Sequence, residues 1–255
     1  MSNHRRFFIE DSIVQDEKLK ITGATAMQIA SVLRLGSGDT ITLFDGSGTE
    51  YESKITSASS SAVYADVVAC EFPETELQFD IIAAIGRSKP AKVEFIIQKC
   101  TELGVRQFIL IECAHVIGDS PDEKKAARWR KIAIEAVEQC GGTRIPQITI
   151  GVTLNQLAKI IPEMDAALLA HEQEKCVLLA NALSKSLNAA GDNPTVTPTR
   201  KRIMFITGPE GGFRQDEVDL MIQSGATSIS LGPRILRAET AAIAGCASIA
   251  MQPWH

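Results

Sequence analysis

Apolar and polar residues alternate in short runs through residues 1–72 of this 255-residue chain. Alternation with a period of two is typical of β-strands that bury one face. The runs are Thr40–Phe44, Thr49–Ile55 and Ser61–Val68. Asp45-Gly46, between the first two runs, favours the positive φ angles of a tight hairpin turn. The pattern predicts a small β-barrel, with one short helix at Ala24–Leu33.

Longer apolar runs alternate with amphipathic segments from residue 73 onward, which indicates a mainly parallel sheet covered by helices. The polar, proline-containing stretch Phe72–Glu76 separates the two patterns, so we expect one domain at residues 1–72 and a second at 73–255. Strands are predicted at Phe79–Ile85, Gln107–Glu112, Asp165–Ala170, Arg202–Thr207 and Thr227–Leu231. Helices are predicted at Pro90–Glu102, Ser120–Cys140, Glu174–Leu187, Gln215–Gln223 and Ala238–Met251, and a loop at 188–199.

Composition and charge narrow the possible functions. The net charge of −5 gives no overall attraction to nucleic acid, so an RNA substrate requires a local basic face. The six cysteines form no C-x-x-C pair and the four histidines are scattered, which disfavours a metal site. The N-terminus lacks the apolar run of a signal peptide, and no apolar stretch has the length of a membrane span. We therefore expect a cytoplasmic protein without a metal and without a membrane partner.

Two glycine-bearing or charged segments follow predicted strands near the end of the chain. Gly208–Phe213 follows Arg202–Thr207, and Leu231–Ala241 leads into the last helix. Glycine lets a backbone approach a ligand closely, and ligands of open α/β sheets lie at the carboxyl ends of strands. An ordinary turn is the alternative for Gly208–Phe213, which matches neither a dinucleotide nor a phosphate-loop motif. Leu231–Ala241 holds charges beside apolar residues, where charges tend to be paired or functional.

Gly208–Phe213 together with Leu231–Ala241 resembles the signature pair of the 16S ribosomal RNA uracil-N3 methyltransferases, a family of the SPOUT (trefoil-knot) superfamily. Further segments along nearly the whole chain are similar to that family: His4–Phe8, Val32–Leu35 with Gly38 and Asp39, Lys99–Val105, Arg128–Ile132 and Glu138–Gly141. Two positions depart from its pattern. Gly142 stands where the family usually has an arginine, and Gln28 stands where a histidine is common.

The resemblance implies a PUA-like β-barrel followed by a knotted α/β domain that forms a homodimer. It also implies an S-adenosylmethionine-dependent enzyme that methylates N3 of a specific uridine in the 16S rRNA of the small ribosomal subunit. Apolar walls with a few fixed polar groups suit the adenine ring of such a cofactor. By the resemblance, the cofactor pocket is lined by Leu169, His171, Gly208, Glu210, Gly211, Gly212, Leu231, Gly232, Ile235, Leu236, Arg237 and Thr240.

Methyl transfer to this nitrogen requires an acceptor for the N3 proton and a cation beside the anionic ring. Glu239 and Glu210 are the candidate bases, and Arg237 and Arg234 are the candidate cations. For Glu239 the alternative is a carboxylate that only interacts with the dipole of the last helix. For Arg237 the alternative is a structural ion pair with Glu239 or Glu210.

Basic residues of both domains are candidates for binding rRNA phosphates, although an isolated basic residue is more often a solvated surface charge. They are Arg5, Arg6, Arg34, Arg87, Lys89, Lys92, Arg128 and Arg144. His115 is predicted to be incidental. A non-enzymatic RNA-binding or ribosome-assembly protein that keeps the fold is the main alternative function. A Rossmann-type small-molecule enzyme is a weaker one, because the chain lacks an early glycine fingerprint.

Overall fold

The computed structural model describes residues 5–10, 13, 18–116, 122–189 and 200–252. The chain divides into two compact units. The first consists of Met1–Glu76 and Val137–Ile145, and the second of Leu77–Ala136 and Pro146–His255. The first unit therefore includes a segment from the middle of the sequence, which the change of pattern at Phe72–Glu76 does not predict.

The first unit is built on one five-stranded mixed sheet. Its strands are β1 (Arg6–Phe8), β2 (Lys18–Thr22), β3 (Thr40–Phe44), β4 (Glu50–Ala58) and β5 (Ala62–Glu71). Their order is β1-β3-β4-β5-β2, with β1 parallel to β3 and the other pairs antiparallel. Because β1 and β2 are the two edges of this sheet, the described strands form a half-barrel, in agreement with the small β-barrel that the sequence predicts.

Local features of this sheet follow the sequence with one difference in the turn. Helix α1 (Gly23–Met27) continues into a π-helical turn at Gln28–Val32, close to the predicted short helix. Phe44 pairs with Glu50, so the connection from β3 to β4 spans residues 45–49 and is longer than a tight turn. Gly46 and Gly48 of this loop both have positive φ. The Asp-Gly signal therefore marks a position with positive φ correctly, although the turn is longer than two residues.

The second unit contains a six-stranded, entirely parallel sheet. Its strands are β6 (Asp80–Gly86), β7 (Val105–Glu112), β8 (Gln147–Thr153), β9 (Ala166–Ala170), β10 (Arg202–Thr207) and β11 (Thr227–Ile229), in the order β11-β9-β10-β6-β7-β8. The remaining helices are α2 (Pro90–Glu102), α3 (Glu123–Cys140), α4 (Leu154–Ile160), α5 (Leu179–Ala189), α6 (Gln215–Gln223) and α7 (Ala238–Ala250). Among the described residues, no helix is long and apolar enough to cross a membrane.

Most of these elements lie where the sequence predicts them, and the exceptions have physical reasons. Strand β8 and helix α4 are not predicted; Ile148, Ile150 and Val152 do alternate along β8, but as an edge strand it fully buries only Val152. Helix α5 begins at Leu179 rather than at Glu174. The carboxylate of Glu174 accepts the backbone N–H groups of Cys176 and Val177, at 2.7 and 3.1 Å, and holds this stretch as a turn. Ser120, Pro121 and most of the loop predicted at 188–199 lie outside the described residues.

The central strands of the parallel sheet bury both faces. Ile81, Ala83 and Ile85 of β6 pack into a core with α2 and α7, whereas Ile82 and Ala84 pack into a second core with α4 and α6. A strand that is buried on both faces reads as a continuous apolar run, which is why β6 was recognisable in the sequence. The sheet is therefore fixed from both sides, and its carboxyl edge provides a rigid base for the loops described next.

Candidate functional site

A cavity of about 350 Å³ lies at the carboxyl ends of β9, β10 and β11. It is lined by Lys92, Ala170, His171, Glu172, Gln173, Lys175, Thr207, Gly208, Pro209, Glu210, Gly212, Phe213, Ser230, Leu231, Gly232, Arg234, Ile235, Leu236, Arg237, Ala238 and Ala241. Three loops that follow parallel strands converge there, as expected for a ligand site of an open α/β sheet. We call residues 208–213 the glycine loop and residues 230–237 the arginine loop.

The glycine loop is held by close backbone contacts. A Cβ atom at Gly86, at the end of β6, would lie 2.4 Å from the backbone nitrogen of Pro209. A Cβ atom at Gly211 would lie 2.8 Å from Cβ of His115, and Nδ1 of His115 is 3.2 Å from the carbonyl oxygen of Gly212. His115, which we expected to be incidental, therefore packs against this loop.

Glu217 connects the glycine loop to the loop that follows β7. Its carboxylate is buried, and one oxygen accepts the N–H of Ala114 at 2.7 Å while the other accepts the N–H of Arg214 at 2.8 Å. Sequence analysis did not identify Glu217, although a glutamate at the third position of a helix is a known capping signal. Its second contact, to Ala114, depends on tertiary structure.

The arginine loop combines a fixed backbone with exposed side chains. Gly232 has a φ of +115°, a conformation that favours glycine. Arg234 and Arg237 are exposed, and neither guanidinium makes an ion pair or a hydrogen bond within the described residues. Ile235 is 80% exposed. The alternative of a structural ion pair between Arg237 and a glutamate is not what the structure shows, and both cations are left available to a bound anion.

One lysine lies between the two candidate bases. Nζ of Lys92 is 3.4 Å from Oε1 of Glu210 and 3.1 Å from Oε2 of Glu239. We call these three residues the Lys92 cluster. Burial alone raises the pKa of Glu210, but its own backbone N–H, the Ser88 hydroxyl and Lys92 outweigh that effect and lower the pKa.

The second carboxylate of the Lys92 cluster behaves in the same way. Burial raises the pKa of Glu239, but its backbone N–H, Lys92 and the charge of Arg237 together lower it. The same two carboxylates raise the pKa of Lys92, chiefly through the contact with Glu239. All three groups are therefore charged at neutral pH, and the cluster carries a formal charge of −1.

Most residues that we expected around a cofactor do line the cavity. Leu169, Gly211 and Thr240 do not. Leu169 is fully buried in the core beneath the cavity, Gly211 faces His115, and Thr240 is exposed in the first turn of α7. Lys92, Thr207 and Ser230 also line the cavity, although no local signal in the sequence predicts it.

Three of the candidate phosphate-binding residues are engaged inside the protein instead. Arg87 is buried and forms a bidentate ion pair with Glu112, with two contacts of 2.8 Å. Arg6 pairs with Glu50 and also donates to the carbonyl oxygens of Val137, Glu138 and Gly142. Lys92 belongs to the cluster above. The donors of these three side chains already have partners within the protein, which disfavours their predicted contacts with RNA phosphates.

The other candidates remain on the surface. Arg5 pairs with Asp39 at 3.4 Å, and Arg128, which is 68% exposed, pairs with Glu94. Arg34 is exposed and has a φ of +54°. Lys89 is exposed at the start of α2, and the guanidinium of Arg144 lies over Gly48. All five remain predicted contacts with RNA phosphates.

The cavity fits an adenosine-containing cofactor. Its volume falls within the range of about 300–1,000 Å³ that is usual for small-molecule pockets. The hydroxyl of Thr207 is buried in the lining and has no hydrogen-bond partner among the described residues. Apolar side chains such as Leu231 and Leu236 share the rest of the wall with charged ones such as Glu210 and Arg237. The site therefore offers both an apolar surface and unused polar atoms to such a cofactor.

Comparison with known proteins identifies the family. Residues 75–250 match the model of an RNA methyltransferase domain, and residues 29–68 match that of an RNA methyltransferase PUA domain. The chain is 31% identical over 254 residues to ribosomal RNA small subunit methyltransferase E of Bacillus subtilis. This match covers 97% of this chain and 96% of the Bacillus protein. The chain belongs to the family of ribosomal RNA small subunit methyltransferase E. The protein of the same name from Synechocystis is 29% identical, and the match covers 96% of this chain and 76% of the Synechocystis protein.

Solved structures agree with this membership. Ribosomal RNA small subunit methyltransferase E from Neisseria gonorrhoeae, bound to S-adenosyl methionine, superposes with a TM-score of 0.82 at 25% identity. The match covers 96% of each chain. The predicted fold class, a small PUA-like β-barrel followed by a mainly parallel α/β domain, is confirmed by these matches and by the two sheets.

Proposed function

We propose that this protein uses S-adenosylmethionine to methylate N3 of a uridine in the 16S rRNA of the small ribosomal subunit. The observation that carries the proposal is the cavity itself, where the glycine loop, the arginine loop and two charged carboxylates converge. The relatives with the same domain arrangement are named as small subunit rRNA methyltransferases, and one of them binds S-adenosyl methionine in its crystal structure. The choice of the base and of its N3 atom rests on the sequence signature.

The chemistry of the reaction can be assigned to residues of this chain. The cofactor, when bound, supplies the methyl group, and the apolar wall with Thr207 would hold it. Transfer to a ring nitrogen depends mainly on positioning, so the rigid glycine loop keeps the cavity in one shape. Glu210 and Glu239 are ionised and can each accept the N3 proton, and we retain both as candidate bases.

Arg237 and Arg234 are the candidates for stabilising the ring oxygens as negative charge develops on them. Both line the cavity and both lack an ion-pair partner within the described part of the chain. Lys92 is less suitable for this task because its ammonium is already shared by two carboxylates. The arginine loop therefore provides the cations of the proposed reaction.

Substrate binding and assembly complete the proposal. Arg5, Arg34, Lys89, Arg128 and Arg144 remain our candidates for contacts with rRNA phosphates. The sequence signature and the exposed Ile235 beside the cavity support a homodimer formed through the second domain, whose bounds we keep at 73–255. The cytoplasm is the proposed location, since ribosomal subunits are its substrate.

Mass spectrometry of 16S rRNA nucleosides tests the assignment. A strain that lacks the gene should lose one 3-methyluridine, and the complemented strain should regain it. Unchanged 3-methyluridine would exclude the N3 assignment but not the methyltransferase class. Calorimetry with S-adenosylmethionine separates an enzyme from a non-enzymatic assembly protein, because only the enzyme requires the cofactor to bind.

A further inference from the structure

Lys92 is the point where three segments around the cavity meet. Lys92 itself lies in the first turn of α2, Glu210 lies in the glycine loop after β10, and Glu239 lies in the first turn of α7. The exposed fractions of the three side chains are 30, 21 and 16%, respectively. Water therefore screens this ion-pair network only in part, and the network links elements that are far apart in sequence.

The Lys92 cluster contains two negative charges and only one positive charge, which gives the lysine a specific role. Two carboxylates share one ammonium, and removing it would leave two negative charges close together. Like charges at such distances do not both remain ionised at low cost, so the pKa of one carboxyl would rise. The other groups that act on this pair are the Ser88 hydroxyl, which faces Glu210, and Arg237, which acts on Glu239 from the arginine loop.

We propose that Lys92 is a positioning residue of the cofactor site, which holds the glycine loop to the start of α7 and keeps both carboxylates charged. It does so in place of the phosphate contact that its sequence position suggests. The inference rests on the proposed function, since the cavity is taken to bind S-adenosylmethionine. Lys92 acts through Glu210 and Glu239, and the geometry assigns it no contact with the reacting atoms.

Cofactor binding provides the first test. Calorimetry at pH 7.5 compares the full-length protein with Lys92→Met, Lys92→Arg and, as a control, Lys99→Met. Lys99 lies on the same helix and pairs with Glu102 at 2.7 Å, but it does not line the cavity. We expect Lys92→Met to raise the Kd for S-adenosylmethionine about tenfold or more, because it leaves partly buried charges without a cation. Lys92→Arg should stay within about threefold of the parent, and Lys99→Met should not change the Kd.

A double variant separates charge balance from simple packing. Lys92→Met combined with Glu239→Gln removes one positive and one negative charge, so the remaining carboxylate no longer has a like-charged neighbour. We expect the double variant to bind S-adenosylmethionine more tightly than Lys92→Met alone. If the losses of affinity for S-adenosylmethionine from the two substitutions simply add, the charge of Lys92 is not what positions the loops.

A measurement without cofactor tests the role of Lys92 separately from the proposed function. In the parent protein the pKa values of Glu210 and Glu239 are lowered, so their contribution to stability is present above their ordinary pKa and is lost as pH falls. In Lys92→Met one carboxyl has a raised pKa, and its contribution is lost as pH rises through that value. The difference in Tm between the two proteins should therefore be largest at pH 7.5 and should shrink toward pH 4.5.

The outcomes are distinct. A pH-independent difference in Tm, or an unchanged Kd in Lys92→Met, overturns the inference. Loss of rRNA binding in Lys92→Met with unchanged cofactor binding returns Lys92 to the role of a phosphate contact. If the parent protein does not bind S-adenosylmethionine, the proposed function fails, and the pH dependence of Tm still decides the role of Lys92.

Discussion

A Cβ atom at Gly245 would lie 1.9 Å from Cζ of Phe205. Gly245 is in the middle of α7 and Phe205 is in the middle of β10, and both residues are buried. The bare Cα atom of the glycine therefore lets the helix rest directly on the aromatic ring. This contact sets the distance between the first turn of α7, which carries Glu239, and the glycine loop, which follows β10.

Gly245→Ala should lower the free energy of unfolding by about 1–3 kcal/mol, since the added methyl group overpacks a core that cannot expand freely. The effect opposes helix propensity, which favours alanine by about 1 kcal/mol. Denaturation in urea measures the change. Ser248→Ala, at an exposed position of the same helix, is the control and should stay within about 0.5 kcal/mol. A more stable Gly245→Ala protein would show that Phe205 moves aside at no cost.

Glu217→Ala should weaken both the fold and cofactor binding. The backbone N–H groups of Ala114 and Arg214 would lose their charged acceptor, at a combined cost of about 1–3 kcal/mol because both hydrogen bonds are only part-buried. The glycine loop ends just before Arg214, so we expect the Kd for S-adenosylmethionine to rise about tenfold. Chemical denaturation and calorimetry give the two values. Asp216→Asn, one residue away and exposed, should behave like the parent protein, and equal losses in both variants would contradict a specific role for Glu217.

Arg237→Ala should abolish most methylation without unfolding the protein. The side chain is exposed and lines the cavity, so its removal costs little stability. Loss of one preorganised charge at a reacting group typically lowers kcat about 100-fold or more. Turnover on small ribosomal subunits, measured with labelled cofactor, tests this, and calorimetry checks that the cofactor still binds. Lys131→Ala on α3 is a matched surface control, and near-parental turnover in Arg237→Ala would remove Arg237 from the catalytic candidates.

Cys113 should resist alkylation although it follows β7 near the site. Burial, and then the charges of Glu217 and Glu112, raise the pKa of its thiol from 9.0 to about 12. At pH 8 its thiolate is therefore about 1,000-fold scarcer than that of an ordinary thiol. Mass spectrometry after brief iodoacetamide treatment of the native protein should find Cys140 and Cys176, which are exposed, labelled before Cys113.

The same shift has a consequence for stability at high pH. Because the pKa of Cys113 is higher in the folded protein, the contribution of its protonated thiol is complete below about pH 9 and is lost as pH rises toward 12. A Cys113→Ser variant should show a smaller fall in Tm over that range. Rapid labelling of Cys113 at pH 8 would contradict both expectations.

The sequence predicted the elements that have strong local signals. Helix α2 begins at Pro90 and is followed by Gly104, which has a positive φ, and both signals can be read without a structure. The two C-terminal loops could be recognised because their glycines follow apolar strands. Strand β8 was missed although Ile148, Ile150 and Val152 alternate with polar residues or glycine along it, a period-two pattern that can be read without a structure.

The charged residues show where local signals end. Arg6, Arg87 and Lys92 look like any other basic residue in the sequence. Their roles depend on partners that folding brings together, such as Gly142, which lies 136 positions from Arg6. Steric requirements of this kind apply to Gly245 as well, because nothing near it in sequence points to the ring of Phe205.

The contacts of Arg6 limit how this protein can be divided. A chain cut at the linker near Phe72 would lose the guanidinium that caps the carbonyl oxygens of Val137, Glu138 and Gly142 at the end of α3. It would also lose most of the unit to which Val137–Ile145 belongs. Residues 73–255 expressed alone would therefore lack the guanidinium that donates hydrogen bonds to the carbonyl oxygens at the end of α3. For the same reason, the N-terminal domain is not a module that can be exchanged freely between relatives.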